Sequence, residues 1–308
     1  MDKGLMDRLT AAFLTLTGLR PRASEEAAPA ARDPSGEGAP EMEGIAVLHR
    51  ERSAFNDISV EEEPSGVRSL VFAPGMAVQS SVLPGRPLEL RLAYTRVAMA
   101  ALAFRSDIRR VLVVGLGGGA MPMFLRCALP EAVIDVAEQD AAVVWIAREF
   151  MGLRPDGQLR VHVGDGREFI AAPGPAYDVI FLDAYGSASI PRHLASVEFL
   201  REVRARLSGR GLTAANIWSP SFNGMYAAMH RTYCEVFGPS LLVLDAEGSG
   251  NRLFFAEKSG APLDTGAAAD RASALVRRLH LPFDLAGAIR AGGIEENWPE
   301  AVPIRDRE

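Results

Sequence analysis

The sequence predicts an α/β fold: a mostly parallel, doubly wound sheet flanked by helices, with a small antiparallel β module ahead of it. Three observations carry this. The run Val111-Leu112-Val113-Val114 enters the glycine turn Gly115-Leu116-Gly117-Gly118-Gly119-Ala120 and then a helical stretch. Downstream, apolar strand-like runs alternate with helical spacing as far as Phe237. Upstream, residues 44–82 carry short alternating runs broken by Pro64-Ser65-Gly66 and Pro74-Gly75. Strands alternating with helices give parallel sheets, whereas short strands joined by turns give antiparallel ones.

The 308 residues suffice for one large α/β domain with additions, or for two domains, and an apolar content of 48% supports a sizeable core. Residues 1–43 read as a short amphipathic helix over Leu5 to Leu19, with a secretory signal as the alternative, followed by a disordered linker. From Ala23 to Glu43 the chain is rich in Ala, Pro, Glu and Gly and holds almost no large apolar residue, so it cannot offset its ordering entropy. Residues 44–87 form the β module, from the runs IAVLHRERS, FNDISVEEE, VRSLVFA and MAVQSSV. Residues 88–260 form the nucleotide-binding domain and residues 261–308 a C-terminal helical tail.

Within that domain, a helix is expected over Leu88 to Phe104, with the stripe Leu90, Tyr94, Val97, Ala101 and Phe104 at helical spacing. Strand Val111–Val114 is followed by a helix near Met121 to Leu129 and a strand from Val133 to Ala137. Helix Ala141–Met151 and strand Leu159–Val163 come next, then Gly164-Asp165-Gly166 and a helix near Arg167 to Ala171. Strand Tyr177–Leu182 ends in Asp183. Helices over Ser196–Leu207 and Ser221–Phe237 enclose a strand within Ser208–Ile217. Leu241–Asp245 and Arg252–Glu257 form a hairpin. The tail reads as helix, loop and frayed end.

In such sheets ligands bind beyond the carboxyl ends of the strands. Gly115, Glu138, Asp165 and Asp183 all stand at such ends. Glu138 follows Gly115 by 23 residues, close to the spacing between a glycine turn and a ribose-binding acid. The same residues also fit a plain tight turn with a surface glutamate, and Asp165 and Asp183 also fit turn and capping roles. Glycine admits positive φ and lets a ligand approach without a Cβ in the way. The crowded G-x-G-G-G-A is compatible with a dinucleotide but more typical of S-adenosylmethionine-type ligands.

A net charge of −6 leaves no nucleic-acid footprint. No run of 18 apolar residues suggests a membrane span. Cys127 and Cys234 have no metal-ligand spacing and read as buried small residues in a reducing, cytoplasmic compartment; no metal site is expected.

These residues resemble the spermidine synthase (polyamine aminopropyltransferase) family, in its spermidine synthase-like branch. The similarity runs from about Val47 to Lys258: SAFNDI at 53–58, VQS at 78–80, VLVVGLGGG, AEQD at 137–140, VHVGDGREF at 161–169 and YDVIFLDA at 177–184. The resemblance implies a β module followed by a seven-stranded Rossmann-like domain of the class I methyltransferase type. It implies S-adenosylmethionine or decarboxylated S-adenosylmethionine as co-substrate. It assigns Glu138 to the ribose hydroxyls and Asp165 and Gly166 to the adenine side. Gln79, Gly115, Gly117 and Gly118 lie along the donor. Asp183 is the acid at the reaction centre. Tyr94 falls near a substrate-side tyrosine, although its apolar stripe fits core packing equally well.

Several family carboxylates are missing. The family's glycine turn carries an Asp for the amine of the aminopropyl arm, where this chain has Gly118. A second loop Asp is Gly186, a glutamate two residues after the tyrosine is Arg96, and Q-G-E is Asn216-Ile217-Trp218. A diamine needs several carboxylates to replace its water, so a polyamine acceptor is doubtful. VLVVGLGGG also resembles the methyltransferase-like proteins that modify elongation factors, and Gly118 removes a repulsion against the donor carboxylate that only a methyl donor keeps. The leading reading is an alkyl transferase acting on a small-molecule or protein amine, with a homodimer as a compatible assembly. A protein or small-molecule methyltransferase, a non-catalytic nucleoside-binding protein and, more remotely, a NAD-dependent oxidoreductase are the alternatives.

Overall fold

The computed structural model describes residues 44–73, 77–184, 190–295 and 298–306. The expected N-terminal helix and linker, the Pro74-Gly75 turn and Gly186 lie outside the described residues.

Four strands open the described chain: β1 (Ala46–Arg52), β2 (Asp57–Glu62), β3 (Arg68–Ala73) and β4 (Ala77–Val82), an antiparallel sheet in sequence order. Between β3 and β4 the register slips, with Leu70 opposite Ser80 but Val71 opposite Val78. Gln79 is therefore the extra residue of a β-bulge, a device that re-aims a side chain and kinks a strand.

The expected helix over Leu88–Phe104 is shorter. α1 spans Ala93–Ala98 and continues as a 3-10 turn over Met99–Ala103. The segment before it is not helical, because the Arg96 guanidinium bonds back to the carbonyls of Leu90 (2.7 Å) and Arg91 (3.0 Å). Ala98 to Ala103 are all buried, so this turn is enclosed by protein rather than amphipathic.

The main sheet runs β12-β10-β11-β9-β8-β5-β6-β7. Its strands are β5 (Arg110–Val114), β6 (Val133–Glu138), β7 (Leu159–Val163), β8 (Tyr177–Leu182), β9 (Leu207–Trp218), β10 (Leu242–Ala246), β11 (Asn251–Glu257) and the two-residue β12 (Gly293–Ile294). The five strands β5 to β9 are parallel, and β11 pairs antiparallel with β9 and β10. The eighth strand is a short edge addition to the expected seven.

Side chains alternate across a strand, and here both faces are packed. Val111, Val113, Val179, Phe181, Leu212 and Ala214 enter one core, with the β module. Leu112, Val114, Ile180, Leu182, Ala215 and Ile217 enter the other. That explains the unbroken apolar runs of β5 and β8. The first core also takes α1, α2 (Ala120–Ala128), α3 (Ala141–Glu149), α7 (Thr265–Leu279) and α8 (Leu285–Ala291); the second takes α4 (Gly166–Ala171), α5 (Val197–Arg206) and α6 (Tyr226–Phe237).

Three expectations need correction. The tail is not frayed up to residue 306: α7 and α8 bury Ala268, Ala272 and Ile289, and Ile304 bonds Val197 and Thr232. α6 starts at Tyr226 rather than Ser221, because Asn223 holds the Met225 amide in a turn. Cys127 is exposed, not buried, since it falls on the outer side of α2. Among the described residues no helix is long and apolar enough to cross a membrane, and no cluster of His, Cys, Asp and Glu could hold a metal ion.

Candidate active site

The glycine turn joins β5 to α2 at the carboxyl end of the sheet. Gly115 adopts φ +97°, and a Cβ there would lie 2.4 Å from the Asp183 carbonyl oxygen. No side chain fits, so Gly115 is required by the approach of the β8 loop as well as by its backbone. Gly117 (φ +53°) and Gly119 (φ +80°) make the turn, which packs under β4: a Cβ on Gly117 would meet Ser80 at 3.2 Å. At Gly118 a Cβ would meet Met151 Cε at 2.7 Å and Ser80 Oγ at 3.0 Å. Gly166 serves packing, since its Cβ would lie 2.5 Å from Val114.

Glu138, at the end of β6, accepts from the Leu116 amide at 2.8 Å and the Asp140 amide at 2.9 Å. It thus clamps the glycine turn to its own strand end. Burial pushes its carboxyl above the usual range, against the two amides that favour the charged form. Asp140 caps α3 through the Ala142 amide and also accepts from Ser53 Oγ (2.5 Å) and Asn56 Nδ2 (3.3 Å). The SAFNDI motif therefore ties the β module to the Glu138 strand end.

Asp165 caps α4 with one oxygen, accepting from Arg167 (2.8 Å) and Glu168 (3.0 Å), while its other oxygen meets His193 Nε2 at 3.0 Å. Burial raises this carboxyl, but the helix amides and His193 together hold it below the usual range.

Asp183 follows β8. Its Oδ1 accepts from Asn216 Nδ2 at 2.9 Å, and its Oδ2 lies 3.2 Å from the Tyr94 hydroxyl. Asn251 Nδ2 in turn donates to Asn216 Oδ1 at 2.9 Å. The Tyr94 hydroxyl is also 3.4 Å from the carbonyl of Gln79, the bulged residue of β4. Burial dominates the electrostatics of Asp183 and pushes its carboxyl up to about 7, despite the two donors. Tyr94 thus packs against the core yet turns its hydroxyl to the site.

The structure brings Gln79, Tyr94, Gly115, Gly117, Gly118, Glu138 and Asp183 around one turn, with Asp165 and Gly166 on the next strand end. Residues that sequence reasoning did not assign to the site are Ser80, Asp140, His193, Asn216 and Asn251. Only strand register brings Asn216 in: Leu182 pairs with Ala215, so Asn216 on β9 comes beside Asp183, just after β8. His193 had no sequence signal. Arg96, which stands where the family has a glutamate, donates to the backbone carbonyls of Leu90 and Arg91.

No family model matches the chain. It is 32% identical over 265 residues to a polyamine aminopropyltransferase of Vibrio vulnificus, covering 84% of each chain. A solved probable spermidine synthase from Corynebacterium glutamicum superposes with TM-score 0.67 at 21% identity, over 85% of this chain and 98% of that one. Human methyltransferase-like protein 13, solved in complex with SAH, superposes with TM-score 0.56 at 27% identity, over 63% of this chain and 95% of that one.

Proposed function

The chain belongs to the polyamine aminopropyltransferase family, and from that membership we propose that it moves an alkyl group from an adenosyl sulfonium to an amine. The donor is S-adenosylmethionine or its decarboxylated form, which supplies a carbon activated by its bond to a positively charged sulfur.

The residues present suit such a donor. Gly115 to Gly119 form a turn free of side chains, open to close backbone approach. The reading assigns Glu138 to the ribose hydroxyls, and Asp165 and Gly166 to the adenine side. Asp183 carries the reading: a carboxylate held near pKa 7 between Tyr94 and Asn216, at the strand end against the glycine turn. An attacking amine must be neutral. An ordinary carboxylate is a poor acceptor of an ammonium proton. Raising its pKa to about 7 narrows the gap to the amine by about 3 units, on the order of 4 kcal/mol.

One observation favours methyl transfer as a second reading. Beside Gly118 stand Met151 and Ser80 rather than a carboxylate. A donor that retains its own carboxylate meets no repulsion there. Calorimetry with S-adenosylmethionine, its decarboxylated form, methylthioadenosine and NAD tests the proposal. Micromolar binding of the adenosyl sulfur compounds is expected; preference for NAD would overturn it.

A further inference from the structure

We infer that the acceptor is a primary amine at the end of an uncharged hydrocarbon or aromatic body, not a diamine, and that Trp218 sets this preference; the inference rests on the transferase reading above. The starting point is strand parity. On β9, Leu212 and Ala214 face the core shared with the β module, so Asn216 and Trp218 project to that same face. Phe181 on β8 and Leu253 on β11 face it too, which sets Asp183 and Asn251 on this side, as their bonds to Asn216 show. Trp218 lies opposite Asn251 across the sheet and is half-buried. It therefore stands two residues beyond Asn216, about 7 Å further out along the strand.

Past it, from Ser219 to Met225, the chain carries no charged residue. Phe222 is 39% exposed. Its ring lies over Gly250, where a Cβ would come within 2.6 Å of it. The Ser219 amide donates to the Gly250 carbonyl at 2.8 Å, which fixes this loop on the β10–β11 hairpin.

Among the described residues, the acids of that edge do not serve this face. Asp245 and Arg252 pair with each other at 2.7 Å from strand positions that alternate to the opposite core, and Glu295 joins Arg252 and Tyr226 there. Glu247 is exposed on the hairpin turn. The chain from Ala184 to Pro191 contains no Asp or Glu.

A four-carbon diamine with one nitrogen at Asp183 holds its second nitrogen about 6 Å away, comparable to the step of about 7 Å along β9 from Asn216, which bonds Asp183, to Trp218. That ammonium would lose water against an indole. A cation–π contact returns about 0.5–2 kcal/mol, less than the several kcal/mol that desolvating an ion costs. A hydrocarbon tail at the same place gains from burial instead.

In the reaction, the amine lone pair forms the new N–C bond while the C–S bond breaks and its electron pair stays on sulfur as a neutral thioether. The displaced amine proton passes to Asp183. Only one nitrogen has to be uncharged.

The test uses the full chain with each donor and four acceptors: butylamine, phenethylamine, Nα-acetyl-lysine methylamide and 1,4-diaminobutane, with products read by mass spectrometry. Methylthioadenosine binding is measured in parallel. At least a tenfold higher kcat/KM for the single amines than for the diamine is expected, and the lysine derivative separates protein-borne from free amines. Trp218→Glu should raise diamine use and lower that of the others, and Phe222→Ala should weaken phenethylamine alone. Nucleoside binding with a preference for the diamine, or with no amine used, overturns this inference while leaving the donor site standing. Absence of nucleoside binding overturns the transferase reading itself.

Discussion

The Tyr94 hydroxyl lies 3.2 Å from Asp183 Oδ2, although 89 residues separate the two in the chain. The bulge at Gln79 and the short α1 helix bring them together, and Asn216 closes the other side of the carboxylate. A carboxyl held at about 7 is half ionised at neutral pH. We expect kcat/KM, which reports the free enzyme, to rise through a limb near pH 7 as Asp183 deprotonates. Asp183→Asn should abolish transfer at every pH while methylthioadenosine affinity changes less than threefold. A variant that retains the limb would locate the titrating group elsewhere.

The same shift fixes a sign for stability. Asp183 has a folded pKa raised above its unfolded value. Between about pH 4 and pH 7 the native state keeps a proton that the unfolded chain releases, so stability falls as pH rises across that window, by an order of 4 kcal/mol. Glu138, also raised by burial, acts in the same direction. The melting temperature of Asp183→Asn relative to the parent should therefore rise from pH 5 to pH 8. A difference that is flat with pH would show that Asp183 is not proton-linked to folding.

Glu138 accepts with one oxygen from the Leu116 amide of the glycine turn and with the other from the Asp140 amide just past its own strand. Glu138→Gln should weaken donor binding by about 1.5–3 kcal/mol, the scale of hydrogen bonds to a charged group. Calorimetry reads this loss, and a thermal melt of the free protein reads the turn separately. Unchanged affinity would remove Glu138 from the donor site.

Asp140 joins three elements: it caps α3, meets Glu138 through its amide, and receives Ser53 and Asn56 from the β module. Losing an N-cap costs about 0.5–2 kcal/mol, and here the tie to the module is lost too. Asp140→Ala should therefore destabilise by about 2–3 kcal/mol in urea unfolding, and Ser53→Ala by about 1 kcal/mol. The two effects should be less than additive in the double variant, because they share one bond. Strict additivity would mean that the module is held by other contacts.

What the chain announced and what it concealed divide along physical lines. β8 begins and ends where the sequence pattern put it, at Tyr177–Leu182, because a buried parallel strand is written as a short apolar run bounded by turns, and the edge strand β7 does so at Leu159–Val163 through its alternating pattern and the glycine turn that follows. Glu138, Asp165 and Asp183 stood out as candidates because each stands at the carboxyl end of a parallel strand. The start of α1 was not legible, since Arg96 stabilises a non-helical approach through side-chain bonds that no periodicity encodes. Asn216 and Asn251 were hidden for a related reason. Their meaning comes from register across β9 and β11, which pairs residues 35 apart in sequence.

Gly118 offers the sharpest separation of donors. The family resemblance sets this position beside the arm of the donor that bears its amine. The site where a side chain would project holds Met151 Cε and Ser80 Oγ, at 2.7 Å and 3.0 Å from the missing Cβ. Methionine is flexible and can move, but overpacking a buried site costs about 1–3 kcal/mol. Gly118→Asp and Gly118→Asn impose the same volume and differ only in charge. Both should lower the melting temperature by a similar amount. Gly118→Asp alone should lower affinity for S-adenosylmethionine, by tenfold or more relative to Gly118→Asn, through repulsion of the donor carboxylate. It should also raise the relative affinity for the decarboxylated form, whose amine has no carboxylate beside it. Met151→Ala in the same background should recover the melting temperature without changing the donor ratio. Equal affinities of the two variants for both donors would show that the amine-bearing arm lies away from Gly118.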